Sequence, residues 1–352
     1  MDQDPENSYP SKNSYQLPSK VAILYSDVKR EYFSSEEAYL TEKGAEKYSE
    51  IVADYTRKLG IEVKLMAGNS SLPSELKIYK PDIVFNFVDT FEGSDRDASI
   101  VPGVLELLDI PYVGSGTLGI ALSANKYLVS KLLQANGIPV AHSQLFLTAN
   151  DYIDPTLRFP LISKLNETHG SVELNQDAVS ENEKHLRDRL KYLTSRYREQ
   201  ILVEEYIVGR EVSAVLLEGL NKKVYIGEKI FTHDEGKYKI TSFQVKWGSE
   251  TKQALSFQRF HDPILKEYTK KAFSVLSMYD YSRFDIRIDE SGRYFFLDCN
   301  ANPFFCPPEV GGSMALILDL YGVSFIDTLK RLMVNTIRDS LGEARLSFPK
   351  AI

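Results

Sequence analysis

The sequence has few cysteines: Cys299 and Cys306 are the only two in its 352 residues. Two thiols so close together cannot form a disulfide framework, which favours a reducing compartment. Long apolar runs are also missing, because none reaches the roughly 20 residues of a membrane-spanning helix. Residues 1–19 lack the apolar stretch of a signal peptide and are rich in Pro, Ser, Asn and Asp, which predicts a flexible tail. From these absences we expect a cytoplasmic protein.

Clustered positive charge is scarce as well. The formal net charge is −7, from 42 Lys and Arg against 49 Asp and Glu. A nucleic-acid binder needs grouped Lys and Arg for the phosphate backbone, so neither nucleic acid nor a membrane is an expected partner. Hydrophobic residues make up 43% and charged residues 26%, as in ordinary globular proteins. The length predicts two or three domains.

The first third of the chain alternates between strand-like and helix-like segments. Apolar runs predict strands at 21–26, 61–66, 82–88 and 110–115, with helices at 35–59, closed by Gly60, and 98–108. Such alternation indicates a parallel α/β sheet. The rest predicts helices at about 123–135, 179–198, 262–279 and 313–338, and strands at 159–165, 200–207 and in EVSAVLLEG, KVYIGEKIF and ITSFQVKW. This half has more antiparallel character, so the expected fold class is α/β followed by α+β.

The segment SRFDIRIDESGRYFFLDCNANP (282–303) predicts a β-hairpin. If Asp289 opposes Tyr294, then Asp285 faces Asp298 and Arg283 faces Asn300 on one face of the hairpin. The other face is then a core face, made of Phe284, Ile286, Ile288, Phe295, Leu297 and Cys299. Facing carboxylates destabilise a sheet unless a cation joins them, and Mg²⁺ prefers such oxygen ligands. The alternative is a solvated polar face on which Arg283 and Arg287 neutralise the acids; both interpretations stay open.

Several lysines and a small loop fit a phosphate site. Lys126 stands near the start of a helix that Ser123 can cap, and Lys164 ends an apolar strand before the loop NETHGSVEL. A Gly-Ser loop after a strand can aim backbone N–H groups at phosphate oxygens, although most such loops are plain turns. His169, within this loop, is expected to be solvated. Lys246 lies in a predicted alternating strand, where it can equally face water.

These segments, taken together and in order, resemble the ATP-grasp superfamily, and within it D-alanine–D-alanine ligase and related carboxylate–amine ligases. The resemblance runs from about residue 80 to 303 and is carried by PDIVFNFVDTFEG, LLDIPYVGSGTLGIALSANKYLVSKLLQANGIPV, FPLISKLNETHGSV, ILVEEYIVGREVSAVL, QVKWGSE and RFDIRIDESGRYFFLDCNANP. It implies an N-terminal parallel α/β domain (20–120), then a central domain (121–205) and a C-terminal domain (206–352) that hold ATP between them.

The resemblance also implies roles for individual residues. ATP would be bound by Lys126, Lys164, Gly170, Ser171, Glu204, Glu205, Ile207, Glu211 and Lys246, with adenine along 204–207 and ribose at Glu211. Mg²⁺, or Mn²⁺ in its place, would be held by Asp285, Asp298 and Asn300. Arg283, Lys246 and Ser171 would be the catalytic residues. The family's usual magnesium glutamate is Asp298 here, a shorter acid with the same charge.

The implied activity is an ATP-dependent ligase that forms an acyl phosphate and joins it to an amine, releasing ADP. Two segments depart from the family pattern: YSDVKREYFSSEE lacks the glycine-rich stretch and its glutamate, and NPFFCPPEVGGS has Phe304 where the family has glycine. We therefore expect amino-acid or peptide-like substrates other than two D-alanines. Glu309 either meets a cationic substrate group or is solvated. A homodimer is expected from the family; the alternative functions are a small-molecule phosphotransferase and a non-catalytic nucleotide-binding protein.

Overall fold

The computed structural model of the protein describes residues 17–231, 236–247 and 255–349. The predicted tail lies outside these ranges up to residue 16. Within them, no helix is both long enough and apolar enough to cross a membrane.

The N-terminal unit is a four-stranded parallel sheet with the strand order β2-β1-β3-β4. Its strands are β1 (Lys20–Ser26), β2 (Glu62–Gly68), β3 (Ile83–Phe87) and β4 (Tyr112–Val113), and its helices are α1 (Glu36–Glu42), α2 (Ala45–Arg57), α3 (Leu72–Tyr79) and α4 (Ile100–Leu107). The parallel α/β prediction is confirmed. The single helix predicted at 35–59 is wrong, because the chain breaks between α1 and α2 at Gly44. A Cβ at Gly44 would lie 2.3 Å from the ring of Tyr48, so a larger residue at this break would require that ring to move.

The middle unit is a four-stranded sheet of antiparallel pairs with the order β5-β8-β6-β7. Its strands are β5 (Ser143–Phe146), β6 (Leu161–Leu165), β7 (Val179–Ser180) and β8 (Ile201–Glu205), with the helices α5 (Thr117–Ser123), α6 (Lys126–Ala135) and α7 (Glu183–Arg196). The predicted cap is wrong: Ser123 belongs to α5, and the side chain of Asn125 accepts from the backbone N–H of Leu128 at 3.0 Å. Asparagine caps as well as serine, so composition alone does not separate them.

The C-terminal unit is a five-stranded antiparallel sheet with the order β11-β10-β9-β12-β13. Its strands are β9 (Gly209–Glu218), β10 (Lys222–Phe231), β11 (Leu255–Arg259), β12 (Tyr281–Asp289) and β13 (Tyr294–Asn300), and its helices are α8 (Phe243–Trp247), α9 (Pro263–Val275), α10 (Ser313–Leu320) and α11 (Phe325–Ser340). The strand predicted in ITSFQVKW is wrong, because this segment forms the short helix α8. The helix predicted at 313–338 is interrupted between α10 and α11, where Gly322 has φ +67°.

One apolar cluster joins the N-terminal and C-terminal units. It includes Val21 and Ile23 of β1, Val215 of β9 and Met314 of α10, all almost fully buried. The middle sheet has a separate cluster, which is closed on one side by Phe33 and Ala38 from the N-terminal unit. A cleft therefore remains between the middle sheet and the C-terminal sheet. The three domain boundaries expected from the sequence stay a prediction.

Candidate functional site

A cavity of about 870 Å³, counted out to its open mouth, lies between the middle and C-terminal sheets. Its walls include most of the residues assigned from the sequence: Lys126, Lys164, Gly170, Ser171, Glu204, Glu205, Ile207, Glu211, Lys246, Asp285 and Asp298. Arg283 and Asn300 are not in its lining; they form the next pair along the hairpin, beside Asp285 and Asp298.

The hairpin has the predicted acid pair but a different register beyond it. Asp285 opposes Asp298 and Arg283 opposes Asn300, as predicted, whereas Tyr294 pairs with Ile288 and not with Asp289. A β-bulge between these regions inserts one extra residue on β13. A bulge sets two residues of one strand against one of its partner.

The bulge changes which side chains form the core face of the hairpin. Phe296 is buried with 3% exposure, while Phe295 and Leu297 are only partly buried, so the predicted core positions of the latter two are wrong. Leu297 instead lines the cavity together with Asp298. An apolar wall and a carboxylate therefore stand side by side on the same strand.

The acid pair is surrounded by cations. Arg283 Nη2 lies 3.1 Å from Asp285 Oδ2, and the Ser213 hydroxyl donates to Asp285 Oδ1 at 2.6 Å. Burial alone would raise the pKa of Asp285, but the charges of Arg283, Lys229 and Lys246 hold it well below its usual range. Arg283 does neutralise this acid, as the alternative interpretation held, whereas Arg287 pairs with Glu211.

The same residues fit a hard divalent cation. Asp298 and Asn300 lie on one strand, with the Asn300 amide N–H₂ 3.4 Å from Asp298 Oδ2. Two opposed carboxylates and a nearby amide oxygen form the oxygen-rich set that Mg²⁺ prefers. The Nε of Arg283 is buried without a hydrogen-bond partner among the described residues, so this donor remains available to a bound group.

The predicted phosphate lysines reach the cavity from different elements. Lys126 starts α6 and donates to the carbonyl oxygen of Thr168 at 2.8 Å, while Lys164 of β6 contacts Glu204 Oε2 at 2.5 Å. Lys246 comes from α8, where burial and the neighbouring Arg283 lower its pKa to about 8. Cations from three separate elements thus line the same cavity. Glu205 turns its carboxylate outward, where it accepts from the backbone N–H of Arg158.

Glu211, predicted to bind ribose, is engaged in a buried ion network. Its carboxylate accepts from Lys229 Nζ at 2.5 Å, from the Thr241 hydroxyl at 2.9 Å and from Arg287 Nη2 at 3.2 Å. Burial would raise the pKa of Glu211, but Lys229 and Arg287 lower it to about 2. Sequence reasoning missed Lys229. On β10 it follows Glu228, and Glu228 pairs with Val212, which follows Glu211 on β9. Aligning these two strands as a hairpin was the signal that could have placed Lys229 across from Glu211.

We expect Lys229→Met to destabilise the fold by about 3–5 kcal/mol, because it leaves the Glu211 carboxylate buried without its main partner. Urea unfolding at neutral pH measures this loss. Lys222→Met is the matched control, since the ion pair of Lys222 with Glu218 is longer, at 3.6 Å, and more exposed. The contribution of Glu211 should be complete above its unfolded pKa of 4.5 and lost as the pH falls towards 2. Equal effects of both variants would contradict the assignment.

The loop after β6 is docked on the N-terminal unit. Gly170 has φ +76°, and a Cβ on it would lie 2.4 Å from Thr41 of α1. His169 is not simply solvated as predicted: its side chain is 35% exposed, but Glu42 of α1 lies 2.9 Å from its Nε2 and Asp95 contacts its Nδ1. Sequence reasoning missed both acids, which are distant in the chain and carry no local pattern.

The 304–313 segment is partly structural. Phe305 is 5% exposed and stacks on Phe85 and Phe87 of the N-terminal sheet, so it is a core residue. The carboxylate of Glu309 accepts from the Tyr55 hydroxyl at 2.5 Å. Its proposed contact with a cationic substrate group stays a prediction.

The chain is similar to D-alanine–D-alanine ligases in sequence and in fold. A family model described as the C-terminus of D-ala D-ala ligase matches residues 132–333. The chain is 30% identical to D-alanine–D-alanine ligase of Aquifex aeolicus over 268 residues, which cover 73% of this chain and 84% of the relative. It is 26% identical to the Streptococcus uberis enzyme of the same name, over 77% of this chain and 78% of the relative. The crystal structure of D-alanine–D-alanine ligase from Bacillus anthracis complexed with ATP superposes with a TM-score of 0.68 at 17% identity, covering 92% of this chain and 98% of that one.

Proposed function

Because the chain belongs to the D-alanine–D-alanine ligase family and has the ATP-grasp fold, we propose that it is an ATP-dependent, ADP-forming ligase that joins a carboxylate to an amine. The observation that supports this most is the meeting of cations and opposed acids in one cavity. Lys126, Lys164 and Lys246 line the same cavity as Asp285 and Asp298. Three cations suit a polyphosphate, and paired acids suit the metal that accompanies it.

In the first step, a substrate carboxylate attacks the γ-phosphate of ATP and forms an acyl phosphate, as the bond to the β-phosphate oxygen breaks and ADP leaves. This chemistry needs positioning and charge neutralisation more than a protein nucleophile. Lys126, Lys164 and Lys246 hold the phosphate oxygens, and Lys164 exchanges its contact with Glu204 for one with ATP. Bound at Asp285, Asp298 and Asn300, Mg²⁺ would neutralise charge on the phosphates.

In the second step, an amine attacks the acyl phosphate and forms a tetrahedral intermediate, which collapses to the amide as inorganic phosphate leaves and the amine loses a proton. Arg283 has a buried Nε without a partner among the described residues, and we assign it to the developing oxyanion. The Gly170–Ser171 loop covers the phosphates, and its closure keeps water from the acyl phosphate. Ser171 has φ +62°, which turns its backbone within this loop. The adenine base would lie along 204–207, against Ile162 and Leu297.

The substrates are proposed to be amino acids or small peptides. The relatives are named for D-alanine, so D-alanine is the first compound to test in both positions. We propose a pair other than two D-alanines, since the 304–313 segment inserts Phe305 into the core and ties Glu309 to Tyr55. These contacts give the second-substrate side a different wall from a loop that has glycine in place of Phe304.

Two further proposals concern the state of the protein. Both cysteines are free and buried, and burial raises the pKa of Cys306 to about 12, which keeps this thiol protonated. This supports the proposed cytoplasmic location. A homodimer is proposed from the family resemblance, and light scattering of the purified protein would measure it.

The proposed function is tested by ADP release from ATP and Mg²⁺ with amino acids supplied in pairs, followed by mass spectrometry of the products. We expect ADP together with a new amide for at least one pair, and less turnover with two D-alanines than with that pair. ADP with a stable phosphorylated product would instead indicate a phosphotransferase. ATP binding without turnover across a broad panel would contradict the ligase proposal and favour a nucleotide-binding protein.

A further inference from the structure

We propose that His169 is a positioning residue of the ligase reaction: it fastens the Gly170–Ser171 loop to the N-terminal unit, so that the phosphate cover closes only with that unit in place. This inference rests on the proposed function and deepens it. It gives the N-terminal unit a part in phosphate chemistry that takes place between the other two units.

The fastening consists of three hydrogen bonds at one residue. The backbone N–H of His169 donates to Asp95 Oδ2 at 2.6 Å, and its ring Nδ1 contacts the same oxygen. On the other side of the ring, Nε2 lies 2.9 Å from Glu42 Oε1. The two carboxylates are 13% and 5% exposed and the ring is 35% exposed, so water reaches the ring but competes little at the two acids. Glu42 ends α1 and Asp95 precedes α4, hence both acids belong to the N-terminal unit.

The neighbouring loop residues are held on two sides. Gly170 packs so closely on Thr41 of α1 that a Cβ would clash, and the backbone N–H of Glu173 donates to Glu37 Oε2 at 2.9 Å. From the opposite side, the indole N–H of Trp247 donates to the carbonyl oxygen of Gly170 at 3.0 Å. The loop backbone is therefore clamped between α1 and α8, with His169 as its ionic contact.

The charges around the ring favour imidazolium. Asp95, Glu42 and the partly buried Asp89 face it, and the loop's other charged neighbours are Lys126 and Glu199, which both bond to Thr168. Burial alone would lower the pKa of His169, but the charge of Asp95 and the bonds to Asp95 and Glu42 raise it well above its ordinary value. The bonds are thus charge-assisted at neutral pH, and they weaken as the pH rises through this raised pKa.

The position of the loop therefore determines how completely acyl phosphate formation is followed by amide formation. When the ring is neutral or absent, the N–H groups of Gly170 and Ser171 lose their fixed position, and water reaches the acyl phosphate. We expect His169→Gln to lower kcat for amide formation by roughly 10–100-fold and to raise the ratio of ADP to amide. The KM for the amine should change little, because His169 does not contact it.

The test compares His169→Gln, Asp95→Asn and the double variant, with His261→Gln as the control on an exposed histidine. If the two residues act as one fastening, the double variant should lose little more kcat than either single variant. Thermal unfolding of every variant separates misfolding from loss of positioning. Independent losses, or a His169→Gln enzyme with the kcat and ADP-to-amide ratio of the control, would overturn the proposal.

A second measurement does not depend on ligation. Trp247 is the only tryptophan in the chain and contacts the loop directly, so its fluorescence with Mg²⁺ and ATP reports on loop position. We expect a pH transition above neutrality in the native protein that disappears in His169→Gln. A transition with the same midpoint and amplitude in this variant would belong to another group, such as Lys246, and would refute the role of His169. If the native protein shows the transition but forms no amide, the proposed function fails while the fastening stands.

Discussion

Asp298→Ala is expected to lower amide formation roughly a thousandfold or more while the fold remains intact. The opposed Asp285 keeps its bonds to Arg283 and Ser213, so the hairpin loses one carboxylate without exposing its core. The metal proposed at this site is worth several kcal/mol to charge stabilisation, which corresponds to about three orders of magnitude in rate. Turnover as a function of Mg²⁺ concentration measures the effect.

Two further variants sharpen this result. Asp298→Glu restores the residue type of the family and should retain turnover, with a changed Mg²⁺ dependence. Glu290→Ala removes an exposed acid from the turn of the same hairpin and should behave as the native protein. A fully active Asp298→Ala enzyme would refute the metal assignment.

Arg283→Ala is expected to lower kcat by roughly 10²–10³-fold, about 3–4 kcal/mol in the barrier, if Arg283 acts as an oxyanion donor. The KM for ATP should change much less, because the lysines at the other elements still hold the phosphates. Steady-state kinetics at saturating ATP separates these two effects. An unchanged kcat would remove Arg283 from the mechanism.

The structure supplies a control for this variant as well. Arg293 lies on the same hairpin and pairs with Asp289, but its side chain is 73% exposed. Arg293→Ala should leave kcat unchanged, since it is far from the acid pair. Because Arg283 also bonds to Asp285, thermal unfolding of both variants shows how much of any loss arises from stability. Arg283→Lys keeps the charge without the fork geometry, and should recover only part of kcat.

Hairpin alternation predicted which side chains stand opposite each other at the acid pair, because side chains alternate between the two faces of a strand once its register is known. The pairs Asp285–Asp298 and Arg283–Asn300 followed from it. The bulge did not, since an inserted residue leaves no mark on composition. Two errors cancelled. The turn is one residue longer than predicted, which shifts the strand register by one, and the extra residue of the bulge shifts it back before the acids.

Other parts of the site depend on contacts between distant segments. The ion pairs of His169 with Glu42 and Asp95 join residues 127 and 74 positions apart, and no local pattern announces them. The helix α8 was predicted as a strand because its short sequence alternates, whereas Ser242 caps it through the N–H of Val245. Local periodicity predicts elements; the partners that they meet are set by tertiary packing.

The bulge on β13 separates a position that can vary, Leu297, from the acid pair, which cannot. Substitution at Leu297 changes the size of an apolar wall while Asp298 keeps its place opposite Asp285. Deletion of Leu297 removes the bulge itself: Phe296 remains opposite Ile286 and Asp298 opposite Asp285, so regular pairing continues along the strand and only the apolar wall is lost. Over evolutionary time, the size of this wall can therefore change, by substitution or by loss of the bulge, without separating the two acids.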